Sequence, residues 1–109
     1  MGISENLIRE IVQRIVSVTR PERIILFGSA STGQMTKDSD IDLLVLARDA
    51  QDNRGERLRI RQALKDLDQS FDVIVMRTER FEETKNVIGG IAYPAHKYGR
   101  VVYEIAGRG

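Results

Sequence analysis

The chain has 109 residues, of which 41% are hydrophobic and 30% charged, a composition typical of one globular domain. Its 17 Lys and Arg against 16 Asp and Glu give a net charge of +1, so we do not expect direct nucleic-acid binding. The absence of cysteine excludes disulfides, thiolate metal sites and cysteine nucleophiles, and the single histidine, His96, excludes a histidine-rich zinc site. Any chemistry must therefore depend on carboxylates.

Hydropathy predicts a cytoplasmic protein without membrane association. The longest uncharged apolar stretch, residues 43–47, is far too short to cross a bilayer. The N-terminal residues lack the apolar core of a signal peptide. We expect a single domain over residues 1–109, ordered from about residue 3 to about residue 105.

The first half of the chain predicts one helix and two strands. Apolar residues recur at helical spacing up to Val18, and Ser4 is a candidate N-cap for this helix. Residues 23–27 have the composition of a buried strand and are followed by a loop, residues 29–39, that is rich in Gly, Ser and Thr. Residues 41–46 predict a second strand, and their nearly continuous apolar run indicates that both strand faces are covered.

The second half predicts a helix to about Leu67, a strand over residues 71–76, two short helices and a final strand over residues 100–104. Pro94 is compatible with a first helical turn, and Gly99 is suited to end the helix that contains it. This alternation predicts an α/β (α+β) fold with a small sheet and helices packed mainly on one face.

Three aspartates lie at the start of, or within, predicted apolar strands, where a charged side chain is unexpected. Asp40 and Asp42 are two residues apart at the start of the second strand, so the strand period places both on one face. Asp72 is the second residue of an otherwise apolar strand, where an uncompensated charge costs stability. If the strands are neighbours, the three carboxylates converge, and a divalent cation relieves their repulsion. Oxygen-only ligands favour Mg²⁺ or Mn²⁺, which makes these aspartates candidate metal ligands.

Gly28 and Ser29 add a second feature, because they end a buried strand and open a polar loop. Backbone N–H groups can face an anion there, and the serine hydroxyl adds a donor. Taken singly, the Gly-Ser pair is a common turn, and each acid fits a turn or a water-facing strand edge. Taken together, the Gly-Ser pair and the three acids supply a phosphate cradle and an acidic triad in one site. The order along the chain is strand, Gly-Ser, ten residues, Asp40-Ile41-Asp42, strand, helix and a strand with Asp72.

Two parts of the sequence carry a family resemblance. Phe27-Gly28-Ser29, then Gly33 and Ser39-Asp40-Ile41-Asp42-Leu43, resembles the signature of the DNA polymerase β-type nucleotidyltransferase superfamily. The short length and the ending from residue 98 to residue 104 are similar to its minimal branch, the MNT domains, which are antitoxin-like partners of HEPN-domain ribonuclease toxins.

This resemblance implies a mixed sheet whose active site is exposed on one face, with a nucleoside triphosphate and two Mg²⁺ ions as ligands. By position, it implies that Gly28 and Ser29 hold the triphosphate. It further implies that Asp40 and Asp42 bridge the metals and that Asp72 is the third catalytic carboxylate.

The resemblance implies that the protein transfers AMP from ATP to a tyrosine hydroxyl of a partner HEPN toxin. It further implies that the protein acts as an antitoxin in a hetero-oligomer. One alternative is a binding module that neutralises the toxin by contact alone. Another is nucleotidyl transfer to a small molecule or RNA, although enzymes of that kind generally add a second domain for the acceptor.

Two further groups have more than one interpretation. A basic stripe at helical spacing predicts either a solvated face or an interaction surface for an acidic partner or RNA; it consists of Arg54, Arg57, Arg61 and Lys65. We interpret His96 as a surface histidine, and the alternative is a contact with a nucleotide base together with Tyr93 and Lys97.

Overall fold

A computed structural model of the protein describes residues 3–28, 40–48 and 53–105. In chain order these residues form α1 (Glu5–Val18), β1 (Arg23–Phe27), β2 (Ile41–Ala47), α2 (Asn53–Ala63), β3 (Phe71–Arg77), α3 (Thr78–Thr84), α4 (Ala92–Tyr98) and β4 (Arg100–Glu104). Within these ranges, no helix combines the length and the apolar character needed to span a bilayer.

The four described strands form one mixed sheet in the order β3-β2-β1-β4. β2 and β3 run parallel, whereas β1 pairs antiparallel with both β2 and β4. The register between β1 and β4 shifts between Ile24 and Ile25, which marks a β-bulge. Because β2 and β3 are parallel and neighbouring, both begin at the same edge of the sheet.

Alternate residues of the strands build two cores, one on each face. The 14-residue α1 and the 11-residue α2 cover the first face, which we call the α1/α2 face, and its core includes Ile11, Leu43 and Ile60. The second, the α3/α4 face, is packed against two seven-residue helices through residues such as Leu44 and Phe81. The long helices therefore share one face, as the sequence predicts, and short helices pack against the other.

Most element boundaries agree with the sequence pattern to within one or two residues, and the end of α2 does not. Ser4 caps α1, and its Oγ accepts a hydrogen bond from the Leu7 N–H at 3.1 Å. α2 ends at Ala63, before the predicted end near Leu67. The chain continues there in a tighter turn, in which the Leu67 N–H bonds to the Leu64 carbonyl at 3.1 Å, and both leucines still pack on the core. The apolar spacing thus persists beyond the helix itself.

Gly99 joins α4 to β4 where the chain passes close to β1. Its φ of −79° is accessible to any residue, but a side-chain carbon here would lie 2.6 Å from Ile25 Cγ2 and 3.1 Å from the Leu26 carbonyl oxygen. The Gly99 N–H also bonds to the Ala95 carbonyl at 3.0 Å. The end of α4 therefore packs directly against β1 at Ile25 and Leu26, just before Phe27.

Candidate active site

Asp42 and Asp72 lie side by side on neighbouring strands. They are register partners in the parallel pair of β2 and β3, so their side chains project from the same face of the sheet. A backbone hydrogen bond from Ile41 N–H to the Ser70 carbonyl, 2.8 Å long, fixes the start of the pair. Because Leu44 follows Asp42 by two residues and packs in the second core, both acids belong to the α3/α4 face.

Gly28 packs against the carboxylate of Asp42. It follows β1, whose last residue, Phe27, is the antiparallel register partner of Asp42. Its φ is +69°, a conformation that favours glycine, and a side-chain carbon at this position would overlap Asp42 Oδ2 and lie 3.2 Å from Cγ. Glycine is therefore required here both for the backbone conformation and for the close approach to the acid.

The electrostatic environment of Asp42 connects all three predicted acids. Partial burial raises the pKa of the Asp42 carboxyl above its usual value, and the charges of Asp72 and then Asp40 raise it further. Asp40 and Asp72 are both exposed to solvent, whereas Asp42 is half-buried. Ionised Asp42 is thus in an unfavourable position that a bound cation would relieve.

The three carboxylates match a metal ion in donor type without forming a ready-made cluster. Within residues 3–28, 40–48 and 53–105, no three His, Cys, Asp or Glu side chains are gathered into a cluster that could hold a metal as it stands. The chemistry nevertheless suits a hard cation, because the donors are carboxylate oxygens, and burial and then the charges of Asp72 and Asp40 raise the pKa of Asp42. Asp40, Asp42 and Asp72 therefore fit Mg²⁺ by donor type, and their role as metal ligands stays a prediction.

The remaining sequence-based site predictions have different outcomes. Ser29 and the Gly/Ser/Thr-rich loop fall outside the described residues, so the phosphate-binding role of the Gly-Ser pair stays a prediction. His96 is exposed, and its ring meets Phe81 edge-on at a centroid distance of 6.2 Å, which agrees with a surface histidine. Sequence reasoning did not anticipate the contact of Gly28 with Asp42; its signal was a glycine directly after a buried strand.

Comparison with known proteins places this geometry in a family. The family model of the nucleotidyltransferase domain matches residues 5–93. A search of curated proteins finds no match. A toxin–antitoxin crystal structure with AMP-PNP is 24% identical and superimposes with a TM-score of 0.70, covering 91% of this chain and 74% of that chain. A mutant of the toxin–antitoxin pair MntA–HpeT is also 24% identical, with a TM-score of 0.62 and coverage of 95% and 76%.

The solved structures share the fold of this chain. The family model spans most of the chain and includes Gly28, Asp42 and Asp72. The chain therefore belongs to the nucleotidyltransferase domain family.

Proposed function

We propose that the protein is a Mg²⁺-dependent nucleotidyltransferase that moves AMP from ATP to a tyrosine hydroxyl of a partner HEPN toxin. The protein thereby acts as the antitoxin of that toxin. The observation that carries the proposal is the adjacency of Asp42 and Asp72 on one sheet face, with Gly28 packed against Asp42. Two like charges directly opposite each other destabilise a sheet, so their presence favours a function that needs both.

The similar solved structures support the choice of nucleotide and of partner. One of them holds AMP-PNP, a nucleoside triphosphate analogue, in a toxin–antitoxin structure. In the mutant of MntA–HpeT, two aspartates two positions apart are replaced by glutamate. Asp40 and Asp42 have the same spacing in this chain, and they are the acids that we expect to hold the metal.

The chain's own residues would divide the work of the transfer. Asp40 and Asp42 would hold Mg²⁺, and Asp72 would complete the site beside the acceptor. Bound Mg²⁺ would neutralise phosphate charge and stabilise the attacking and leaving oxygens. Gly28 leaves room for the Asp42 carboxylate, and the backbone after it would face the triphosphate together with Ser29.

The transfer forms a bond between the acceptor oxygen and the α-phosphorus and breaks the bond from that phosphorus to the β-phosphate oxygen. Pyrophosphate leaves, and the acceptor hydroxyl proton passes to the carboxylate of Asp72. That carboxylate is solvent-exposed, as an acid that receives a proton from an incoming protein hydroxyl should be. AMP on a residue near a ribonuclease site would obstruct RNA by charge and by size.

Mass spectrometry of a co-expressed partner tests this proposal. The candidate partner is the protein encoded next to this one, expressed with the wild-type protein or with the double variant Asp40→Asn/Asp42→Asn. We expect AMP on the partner with the wild type and none with the double variant, which should also fail to neutralise the toxin. Full neutralisation by the double variant, with no AMP on the partner of the wild-type protein, would instead establish inhibition by contact alone.

A further inference from the structure

One flank of α2 and of the turn that follows it carries four cations. We call this flank the basic face; it consists of Arg54, Arg57, Arg61 and Lys65. All four side chains are solvent-exposed, and within the described part of the chain none of them forms an ion pair or a side-chain hydrogen bond. Within α2, a spacing of three and four residues places the three arginines in one row about 10 Å long at the helical rise per residue, and Lys65 follows in the turn beyond the helix.

Contacts of α2 fix the direction in which the basic face points. Ile60 is buried in the core on the α1/α2 face. The opposite flank of the helix meets α1, where Glu56 accepts a hydrogen bond from the Thr19 hydroxyl and the Ala63 carbonyl accepts one from Arg14 at 3.0 Å. The basic face is therefore turned away from α1, toward β3, which is the edge strand on this side of the sheet.

The charge balance of the helix makes this row unusual. The chain as a whole has a net charge of +1, so four unpaired cations on one face are a local concentration of charge. The one acid of α2, Glu56, lies on the α1 side and is paired with Arg59 at 2.8 Å. Like charges three and four residues apart repel one another on a helix, so the row costs helix stability unless an anionic partner compensates it.

We propose that the basic face is a docking surface for an acidic surface of a protein partner. Three of its four cations are arginines, whose guanidinium groups bind carboxylates in a bidentate manner. Leu58, 54% exposed, borders the row and adds an apolar contact that suits a protein interface. α2 contains no aromatic residue on which a nucleic-acid base could stack, and this favours a protein over RNA.

The basic face lies near the candidate active site, but the inference about it is independent of that site. The C-terminal end of α2 leads through residues 64–70 to the start of β3, where Asp72 lies. A partner docked along the basic face would lie beside the sheet edge that carries this acid. The inference does not depend on nucleotidyl transfer, because it concerns binding alone.

Fluorescence anisotropy with two labelled probes tests the inference. The probes are a 20-residue polyglutamate peptide and a single-stranded RNA of ten nucleotides, each titrated with the protein at low and at physiological salt. The test variant is Arg57→Gln/Arg61→Gln. The matched control is Arg9→Gln/Arg80→Gln, which removes the same charge from exposed arginines of α1 and α3. Circular dichroism and thermal unfolding establish that both variants fold.

We expect the peptide to bind the wild type more tightly than the RNA does. The test variant should weaken peptide binding by about fivefold, the effect of losing two surface ion pairs, and the control should leave it unchanged. Equal weakening in both variants would show a response to net charge only and would overturn the proposal. So would tighter RNA binding that the test variant abolishes, or no binding of the peptide to the wild type.

Discussion

Asp42 and Asp72 are register partners across two parallel strands, so two carboxylates of like charge share one face of the sheet. Gly28, directly after β1, packs against the Asp42 carboxylate, and both acids lie where β2 and β3 begin. Like charges in this arrangement destabilise a sheet, and partial burial of Asp42 increases the cost. A cation bound between the acids would relieve this cost.

Removing the charge of Asp42 should stabilise the metal-free protein. The pKa of Asp42 is raised in the folded state, so the unfolded chain loses this proton at lower pH and stability falls as pH rises through both values. Asp42→Asn should therefore increase the free energy of unfolding by about 0.5–1 kcal/mol at pH 7, and the gain should shrink toward pH 4. Urea unfolding in EDTA measures this, with exposed Asp68→Asn as the control.

A side chain at Gly28 should damage both the fold and the site. In Gly28→Ala, the positive φ strains the backbone and the new side-chain carbon overlaps the Asp42 carboxylate. We expect a loss of about 1–3 kcal/mol in the free energy of unfolding. Gly89→Ala separates the two effects, because Gly89 has a φ of +116° with nothing within 4 Å of the added carbon. If Gly28→Ala costs no more than Gly89→Ala, the contact with Asp42 is not tight.

Gly99→Ala should destabilise the protein for a different reason. The backbone conformation suits alanine, but the new carbon would lie 2.6 Å from Ile25 Cγ2 and would also overlap the Ala95 carbonyl oxygen. We expect a loss of about 1–3 kcal/mol by urea unfolding, the typical effect of overpacking. Gly90→Ala is the control, because its added carbon has nothing within 4 Å. Equal stability of the two variants would contradict the close packing of α4 on β1.

The sequence predicted the strands well because their apolar runs are bounded by clear turn residues. β1 and β4 have the bounds that the pattern indicates, and β2 and β3 are each one residue longer at the C-terminal end. The end of α2 was predicted too late, because Leu64 and Leu67 keep helical spacing in a turn that is no longer α-helical. Periodicity reports which side chains are buried, and a turn can bury them too.

For the site, strand period correctly placed Asp42 and Asp72 on strands, but it could not supply the strand order. In the structure β2 and β3 are parallel neighbours, and the two acids are register partners. This is a long-range relationship, which no local sequence pattern contains. The same holds for the contact of Gly28 with Asp42, because it depends on the antiparallel pairing of Phe27 with that acid. The family resemblance implies a mixed sheet with the three acids in one site, but neither it nor the residue patterns specify this register or this contact.

Joint binding of Mg²⁺ and ATP at these acids tests the proposed function most sharply. Ligand that binds only the folded state adds about 2.7 kcal/mol of stability at 100 times its dissociation constant, which raises the melting temperature by several degrees. We predict such a rise for the wild type and for Asp68→Asn, and none for Asp42→Asn, for Asp72→Asn or in EDTA. An equal rise in Asp42→Asn, or no rise in the folded wild type with saturating Mg²⁺ and ATP, would contradict nucleotide binding at these acids.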